Sequence, residues 1–312
     1  MCTSPRPPRT VIFGCEGTVG RALAAAHLRL DPQTVLVGRR SGGWTLDLAA
    51  LADPATELPP GLADAVRERK VEQALLCAGV TRIAACEEDP AATRRVNVDG
   101  TLRLAEALSR LGLTVVWFSS DYVFDGLAES YADDAPSSPL NEYGRQKAEV
   151  ERRLPEVCGG NCLVLRLGKV YGTTPGDGSL LDEMAALLLS GREVRAARDQ
   201  IFCQVHVEDL AAAVLALQEE GARGLFNLCA PGARSRLDIA RLVARTFGAP
   251  EALVRAISLD DLDERFQRPK RVVLEARRLT AMLEDMPKLC FRTLEQAAQE
   301  LAAAYAARGA RG

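Results

Sequence analysis

The stretch TVIFGCEGTVGRALAAAHLRLDPQTVLVGRR, residues 10–40, decides the fold. Its first five residues form a short β-branched run that ends in glycine, which is typical of a buried strand. A helix is predicted next, because Val19, Leu23, Ala26 and Leu30 recur at helical spacing, and TVLVGRR then has the pattern of a second strand. A strand, a helix and a strand in this order predict a βαβ unit with parallel strands.

Three glycines lie between the first strand and the helix, in the spacing G-x-x-G-x-x-G at Gly14, Gly17 and Gly20. Glycines at this place allow a tight turn, a close approach of the backbone to a pyrophosphate, and close packing of the helix on the strand. The alternative is a tight strand-to-helix turn without a ligand, but the βαβ context favours dinucleotide binding. Cys15, within the turn, is interpreted as a small filler rather than a reactive thiol.

The alternation of strands and helices continues along the chain. Helices are expected at residues 58–70, 90–111, 143–154, 180–190 and 207–219, and strands at VEQALLCAG, LTVVWFSS, NCLVLRL, residues 201–205 and GLFNLCA. Because these strands are apolar on both faces, they predict a Rossmann-type doubly wound α/β fold, a parallel sheet covered by helices on both sides. We expect residues 10–168 to form an NAD(P)-binding Rossmann domain and residues 169–312 to form mainly a smaller C-terminal substrate-binding lobe, with some segments returning to the Rossmann domain.

The composition is that of an ordinary globular protein. The 312 residues are 47% hydrophobic and 26% charged with a net charge of −3, which argues against nucleic acid as the main partner. No apolar run approaches the roughly 20 residues of a membrane span. The opening MCTSPRPPRT also lacks the apolar core of a signal peptide. We therefore expect a cytoplasmic protein with a small-molecule substrate and no nucleic-acid or membrane partner, and a homodimer is left open.

Nine cysteines are scattered along the chain, together with only two histidines. The close pairs Cys77/Cys86 and Cys158/Cys162 lack the spacing of a zinc site. We interpret the cysteines as reduced, mostly buried small hydrophobes, and expect no metal site.

The end of the second strand bears on the choice of cofactor. In NAD sites of this type an acidic residue there binds the ribose 2′-hydroxyl, but this strand ends in Arg39 and Arg40. Two arginines suit a 2′-phosphate, so NADP is favoured, while NAD and two solvated surface arginines remain the alternative. Asp47 has two equally good interpretations, as a residue at the adenine edge of the cofactor or as a helix cap.

The stretch NEYGRQKAEVE, residues 141–151, places Tyr143 and Lys147 four positions apart and hence on one face of a predicted helix. A tyrosine with its usual pKa near 10 is a reluctant proton shuttle at neutral pH, and a nearby ammonium favours the phenolate. We therefore expect Lys147 to lower the pKa of Tyr143 and to bind the nicotinamide ribose. Alone, this spacing usually means a surface pair with a snorkelling lysine.

The segment that contains Ser120 favours a catalytic interpretation of Tyr143 and Lys147. The segment FSSDYVFDG stands at the C-terminal end of a predicted strand, where open α/β sheets bind ligands. The Ser120 hydroxyl could donate to a substrate carbonyl oxygen and stabilise developing negative charge. A serine that merely closes the strand is the alternative.

Six segments, in this order, resemble the extended short-chain dehydrogenase/reductases and specifically their dTDP-4-dehydrorhamnose reductase group: GCEGTVG, CAGVTRIAACEEDP, VNVDGT, SSDYVFDG, SPLNEYGRQKAEVE and LRLGKVYG. The resemblance extends, more weakly, to residue 301. It implies Ser120, Tyr143 and Lys147 as the catalytic residues. It implies cofactor contacts from Tyr143, Lys147 and a further set, namely Gly14, Gly17, Thr18, Val19, Arg39, Arg40, Asp47, Leu48, Cys77, Ala78, Gly79, Asn97 and Val170. Substrate contacts are expected from Ser120, Asp121, Tyr122, Tyr143, Lys169, Gln200 and Arg268.

The chain departs from the group's pattern at the sugar site. Lys169 stands where the group tends to carry a tryptophan that helps to shape this site, and Ser120 stands where threonine is more frequent. Asp121 is followed by Tyr122, whereas the related sugar-nucleotide 4,6-dehydratases have an Asp-Glu acid/base pair, so dehydration is not expected.

Three further residues have two interpretations each. His206 is interpreted as a structural histidine at a helix start, with a catalytic base as the alternative. Asp209 is expected to cap its helix or to brace the two lobes. Arg268 could meet a substrate phosphate or be a surface charge, with equal weight.

The resemblance implies an NADP(H)-dependent reductase of a nucleotide-linked 4-keto-6-deoxysugar, with hydride from the nicotinamide and a proton from Tyr143. One alternative is a non-catalytic NADP-binding regulatory subunit, like that of methionine adenosyltransferase. Another is a reductase of a non-nucleotide carbonyl compound, for which Lys169 is the motive.

Overall fold

The computed structural model describes residues 7–40, 43–262, 265–284 and 290–309. Its strands, in chain order, are β1 (Thr10–Phe13), β2 (Val35–Gly38), β3 (Trp44–Thr45), β4 (Gln73–Leu76), β5 (Thr114–Ser120), β6 (Cys162–Leu167), β7 (Lys169–Tyr171), β8 (Val194–Ala197), β9 (Ile201–His206), β10 (Gly224–Leu228), β11 (Ala233–Ser235), β12 (Val254–Ile257) and β13 (Arg271–Val272).

The α-helices of the described residues are α1 (Thr18–Leu30), α2 (Leu48–Leu51), α3 (Leu62–Glu68), α4 (Ile83–Glu88), α5 (Pro90–Arg94), α6 (Thr101–Arg110), α7 (Glu142–Val157), α8 (Leu180–Leu189), α9 (Val207–Glu219), α10 (Arg236–Thr246), α11 (Arg277–Leu283) and α12 (Leu294–Gly309). None of these helices has the length and apolar character needed to cross a bilayer.

Seven strands form one parallel sheet in the order β10-β6-β5-β4-β1-β2-β3. Successive residues of a strand face opposite sides of the sheet, so that in β1 Val11 and Phe13 enter one core while Ile12 enters the other. The first core includes side chains from α2, α3, α6 and α7, and the second includes side chains from α1, α9 and α11. The expected doubly wound Rossmann-type fold is confirmed.

The remaining strands form two smaller sheets. Strand β9 pairs with β7, β11 and β13, and β8 pairs with β12. Helices α8, α10 and α12 pack together in a separate core that includes Tyr171 and Phe202. The expected domain boundary near Gly168 stays a prediction, although β10, far beyond it in the chain, pairs with β6 in the large sheet.

Two of the expected helices differ most from their predicted bounds. The helix expected at residues 58–70 begins only at Leu62, because Gly61 adopts a left-handed conformation with φ of 75° and ends the preceding turn. The helix expected at residues 90–111 is present as α5 and α6, joined by a π-helical segment, Arg95–Gly100. Such a segment admits an extra residue into the helix and often occurs at functional sites.

Candidate active site

The glycine-rich turn brings bare backbone to the C-terminal edge of the sheet. Gly14 has φ of 78°, and a Cβ atom there would lie 2.5 Å from the backbone nitrogen of Ala78. A Cβ atom on Gly20 would lie 2.1 Å from the carbonyl oxygen of Gly14, so α1 packs directly on the turn. Gly17 is the N-cap of α1. A tight turn, close helix packing and a helix N-terminus beside it are the features that fit the pyrophosphate of a dinucleotide.

The segment after β4 forms the next wall of this site. Val80 is held by Asn97, whose Oδ1 accepts the Val80 N–H at 2.7 Å and whose Nδ2 donates to the Val80 carbonyl at 2.9 Å. Asn97 is buried and also donates to Oε1 of Gln146 on α7 at 2.8 Å. Since its amide makes these three bonds, Asn97 joins the loop after β4 to α7. The expected cofactor contact of Asn97 stays a prediction.

An acidic group does stand at the end of β2, although it comes from another part of the chain. The Glu16 carboxylate accepts the backbone N–H of Arg39 at 3.2 Å and that of Arg40 at 3.0 Å. Both arginine residues are exposed. No acidic residue follows the second strand in the sequence. Glu16 could not be predicted at this position, because only folding brings the glycine-rich turn to the end of β2.

Asp47 is the N-cap of α2, with its side chain accepting the Ala49 N–H at 2.9 Å. The capping interpretation is thereby confirmed, and the adenine contact stays a prediction. The carbonyl of Leu48, the next residue, is in close contact with the π-helical segment, since a Cβ atom on Gly100 would lie 2.0 Å from its oxygen.

Tyr143 and Lys147 are both buried, with 8% and 9% of their surface exposed, so the surface-pair interpretation is wrong. The Lys147 ammonium donates to the carbonyl oxygen of Phe118 at 2.7 Å. It lies 4.5 Å from the ring centroid of Trp117 and 5.8 Å from that of Tyr143. The two side chains therefore share one face of α7 and lie against the end of β5, as their spacing predicts.

The expected lowering of the pKa of Tyr143 is wrong. Burial raises the pKa of this phenol above its usual value, and a hydrogen bond with Ser120 is the main opposing influence. Lys147 lies against Phe118 and Trp117 instead, and burial lowers the pKa of its own ammonium to about 8. A buried phenol keeps its proton at neutral pH, which suits a proton donor rather than a standing phenolate.

Ser120 ends β5 and begins a short turn that points its neighbours toward α7. Its hydroxyl donates to Oδ1 of Asp121 at 3.0 Å and accepts the Tyr122 N–H at 3.2 Å. Asp121 is 7% exposed, and burial raises its pKa to about 6 against the effects of the Ser120 hydrogen bond and the Lys169 charge. Ser120 thus connects a buried carboxyl group to the buried phenol of Tyr143.

Gly144 allows α7 to reach this turn. A Cβ atom on Gly144 would lie 2.1 Å from the carbonyl oxygen of Tyr122 and 2.9 Å from the Cβ of Pro139. The Gly144 N–H is capped by Oδ1 of Asn141 at 2.9 Å. The backbone of α7 therefore touches the segment after Ser120, which brings Tyr143 close to Ser120.

Glu151 lies one helical turn beyond Lys147 and was not predicted from the sequence to be a residue of the site. Its carboxylate forms a buried ion pair with Arg166 at 2.8 Å and accepts the Ser119 hydroxyl at 2.5 Å. Its charge also opposes the effect of burial on the pKa of Lys147. The spacing Tyr143, Lys147, Glu151 on one helix face was a signal that could have identified it.

A cavity beside the Ser120 turn is lined by five expected substrate residues: Asp121, Tyr122, Lys169, Gln200 and Arg268. Arg236, the first residue of α10, also lines it and was not selected from the sequence. The Arg268 guanidinium donates to the Tyr122 hydroxyl at 3.3 Å. Burial and the Arg236 charge lower the pKa of Lys169, while Asp121 raises it. Three cations thus line one cavity next to Ser120, and they come from three segments that are far apart in the sequence.

His206 is the N-cap of α9, with Nδ1 facing the Glu208 N–H at 3.2 Å, and it is 2% exposed. It also contacts Arg292, which pairs with Asp209 at 3.2 Å. The structural interpretation of His206 is confirmed. Asp209 connects α9 to the segment before α12, also through the Arg292 N–H at 2.7 Å.

Five of the described cysteines are buried, Cys15 and Cys77 are partly buried, and Cys290 is exposed, all as free thiols. Cys2 lies outside the described residues. Across the parts of the chain that the structure describes, no three or more His, Cys, Asp or Glu side chains are grouped as metal ligands would be.

The doubly wound parallel sheet, the glycine-rich turn and the Ser120, Tyr143 and Lys147 cluster define a Rossmann-type protein with the architecture of the extended short-chain dehydrogenase/reductases. Residues 8–304 match the sequence model of the family described as RmlD substrate binding domain. Because this match spans nearly all of the chain, the protein belongs to that family, and the expected membership is confirmed.

Individual relatives are more distant. The chain is 28% identical over 267 residues to a dTDP-4-keto-6-deoxy-D-glucose reductase of Streptomyces niveus, covering 85% of this chain and 88% of the relative. It is 26% identical over 285 residues to the methionine adenosyltransferase 2 subunit beta of Mus musculus, covering 88% and 82%. Among solved structures, the dTDP-4-dehydrorhamnose reductase of Bacillus anthracis in complex with NADP superimposes with a TM-score of 0.78 at 21% identity, covering 95% and 98%. At this identity the superposition shows a shared fold.

Proposed function

We propose that the protein is an NAD(P)H-dependent reductase of a nucleotide-linked 4-keto-6-deoxysugar. The observation that carries the proposal is the meeting of Ser120, Tyr143 and Lys147 at the end of β5, beside a cavity lined by Lys169, Arg236 and Arg268. The Streptomyces niveus relative, named for reduction of such a sugar, supports the substrate class.

The residues of the glycine-rich turn and of the loop after β4 would hold the dinucleotide, with Lys147 on its nicotinamide ribose. When bound, a reduced nicotinamide supplies the hydride for the carbonyl carbon. Tyr143 delivers its phenolic proton to the carbonyl oxygen as negative charge develops there, and the raised pKa of Tyr143 keeps that proton on the phenol until then.

Ser120 orients the carbonyl oxygen. Its hydroxyl has one proton, which it donates to Asp121 in the structure, so binding of the substrate oxygen redirects this hydrogen bond. Asp121 then loses one stabilising partner and holds its own proton more firmly, since the hydrogen bond from Ser120 lowers its pKa. The direction in which the Ser120 hydroxyl donates therefore affects the protonation of Asp121, and so the net charge of the cavity that Asp121 lines.

The cavity favours an anionic substrate. Lys169, Arg236 and Arg268 place positive charge around it, and guanidinium groups match phosphate oxygens in charge and geometry. The diphosphate of a sugar nucleotide meets this requirement, whereas a neutral carbonyl compound leaves the charge unused. A cytoplasmic location and a homodimer belong to the same proposal.

The test measures NADPH and NADH consumption with a panel of nucleotide-linked 4-keto-6-deoxysugars, with products identified by NMR. Turnover of a panel member supports the proposal. Tyr143→Phe should lower kcat by about 10²- to 10⁴-fold, the usual contribution of a positioned proton donor. Tyr131→Phe, which removes a hydroxyl bonded to Asp125 in another cluster, is the matched control and should retain activity.

Two other outcomes contradict the proposal in different ways. Tight dinucleotide binding without turnover across the panel would favour the alternative of a non-catalytic NADP-binding regulatory subunit. Turnover of non-nucleotide ketones alone would favour the remaining alternative, in which Lys169 serves another substrate.

A further inference from the structure

The Glu16 carboxylate lies at the end of β2, where dinucleotide-binding proteins distinguish NADP from NAD. Its two oxygens accept the backbone N–H groups of Arg39 and Arg40, the two residues that follow β2. In dinucleotide-binding folds, the group at the end of this strand meets the 2′ position of the adenosine ribose. The inference rests on the dinucleotide site of the proposed function.

We propose that Glu16 sets the cofactor preference of this chain by opposing a 2′-phosphate, and so favours the dinucleotide that carries a 2′-hydroxyl. A 2′-phosphate is a multiply charged anion, and a fixed carboxylate within a few ångströms repels it. A 2′-hydroxyl carries no charge and can donate to a carboxylate.

The Arg39 and Arg40 side chains act in the opposite direction. They are exposed and attract a 2′-phosphate, which is the basis of the NADP preference expected from the sequence. Glu16 differs from them because its carboxylate is held in place by two backbone hydrogen bonds, while an exposed arginine loses side-chain entropy when it is ordered by a ligand. The Glu16 carboxylate therefore repels a 2′-phosphate without any loss of side-chain entropy on binding. Removal of this charge should leave the attraction of Arg39 and Arg40 for the 2′-phosphate unopposed.

The position of Glu16 in the chain explains how it reaches this place. It lies between Gly14 and Gly17, and the Gly14 N–H donates to the carbonyl of Val37 in β2 at 2.9 Å. This contact holds the glycine-rich turn against the end of β2. The glycine-rich turn therefore contains both the glycines that would approach the pyrophosphate and Glu16, which would face the 2′ position of the adenosine ribose.

The experiment measures dissociation constants of NADPH and NADH by cofactor fluorescence, without substrate, for the full chain. The variants are Glu16→Gln, Glu16→Ala and the control Glu57→Gln, which removes the same charge from an exposed site on the Rossmann domain. Both Glu16 variants should shift the ratio of the two constants toward NADPH by at least about tenfold, corresponding to about 1.4 kcal/mol. Glu57→Gln should leave the ratio unchanged.

Salt provides a second readout. Because the effect is electrostatic and lies near the surface, the shift caused by Glu16→Gln should shrink as ionic strength rises. Glu16→Ala is the second variant because a Gln side chain has only one oxygen acceptor. Its NH2 group would lie against one of the two backbone N–H donors and distort the turn.

A ratio that stays within about twofold of wild type in both Glu16 variants would overturn the proposal, as would a shift toward NADH. Wild-type protein that binds neither dinucleotide would instead refute the proposed function itself. The two failures are therefore distinguishable in one series of titrations.

Discussion

Lys147 donates a hydrogen bond from its buried ammonium to the carbonyl oxygen of Phe118, at 2.7 Å. This contact anchors α7 to the end of β5 and holds a cation beside Tyr143. Burial disfavours the charged form of Lys147, and the nearby Glu151 opposes that effect. Glu151 is itself paired with Arg166 at 2.8 Å, with 7% and 3% of the two side chains exposed. Three charged side chains are thus buried together under the candidate active site.

Glu151→Gln should lower the free energy of unfolding by about 3–5 kcal/mol, because it leaves the Arg166 charge buried without its partner. The matched control is Glu149→Gln, two residues earlier, whose partners Arg94 and Arg153 are each 41% exposed, and which should cost less than about 1 kcal/mol. Denaturant unfolding of both variants gives the comparison. Equal losses would contradict the assignment of Glu151 as a buried structural charge.

Gly144→Ala should destabilise the protein by about 1–3 kcal/mol, since its methyl group would overlap the Tyr122 carbonyl oxygen and backbone would have to move. Gly309→Ala is the control, because a Cβ atom there meets nothing within 4 Å. Urea unfolding measures both. A Gly144→Ala variant as stable as wild type would show that α7 does not pack on the Tyr122 segment as described.

Gly14→Ala and Gly17→Ala should separate folding from cofactor binding. Gly14 has φ of 78° and no room for a methyl group, so Gly14→Ala should lose more than about 1 kcal/mol of stability. Gly17 has φ of −74°, and its Cβ would contact only the Gly14 carbonyl at an ordinary 3.6 Å, so Gly17→Ala should keep its stability and lose dinucleotide affinity. Thermal unfolding and NADPH titration test the pair. Unchanged NADPH affinity in Gly17→Ala would argue against a pyrophosphate at this turn.

Asp121→Asn should change how stability depends on pH. Burial raises the pKa of Asp121 from 3.8 to about 6, so the folded state binds more protons than the unfolded state between these values. Stability from this group is therefore present at low pH and is lost as pH rises from about 4 to about 6, by up to about 3 kcal/mol.

The measurement is denaturant unfolding of wild type and Asp121→Asn at several pH values across this window. Wild type should lose stability relative to the variant as pH rises, because the substituted amide does not titrate and still accepts a hydrogen bond from Ser120. A stability difference that is constant with pH would mean that the pKa of Asp121 is ordinary in the folded protein.

Most of the fold could be predicted from local patterns. Helix α9 occupies its expected bounds, and α1 and β1 follow the spacing of Val19, Leu23 and Ala26 and the β-branched run before Gly14. Bounds were less predictable where a turn overrides the pattern, as at Gly61 before α3. The contact between Tyr143 and Lys147 could also be predicted, because it depends on one helical turn.

The electrostatics of the site could not be predicted in the same way. The pKa of Tyr143 is raised because the whole surrounding core excludes water from it, and no pair of neighbours in the sequence reports that burial. Arg236 and Lys169 line one cavity although α10 and β7 are distant in the chain.

Taken alone, the amino-acid sequence determined the βαβ start, the parallel sheet and the helix that aligns Tyr143 with Lys147, because strand and helix periods depend on residues close together in the chain. Only the tertiary structure decided that Glu16 meets the backbone of Arg39 and Arg40 and that Glu151 is buried against Arg166. Charges act through space, so their partners are set by how the chain closes on itself rather than by their order along it.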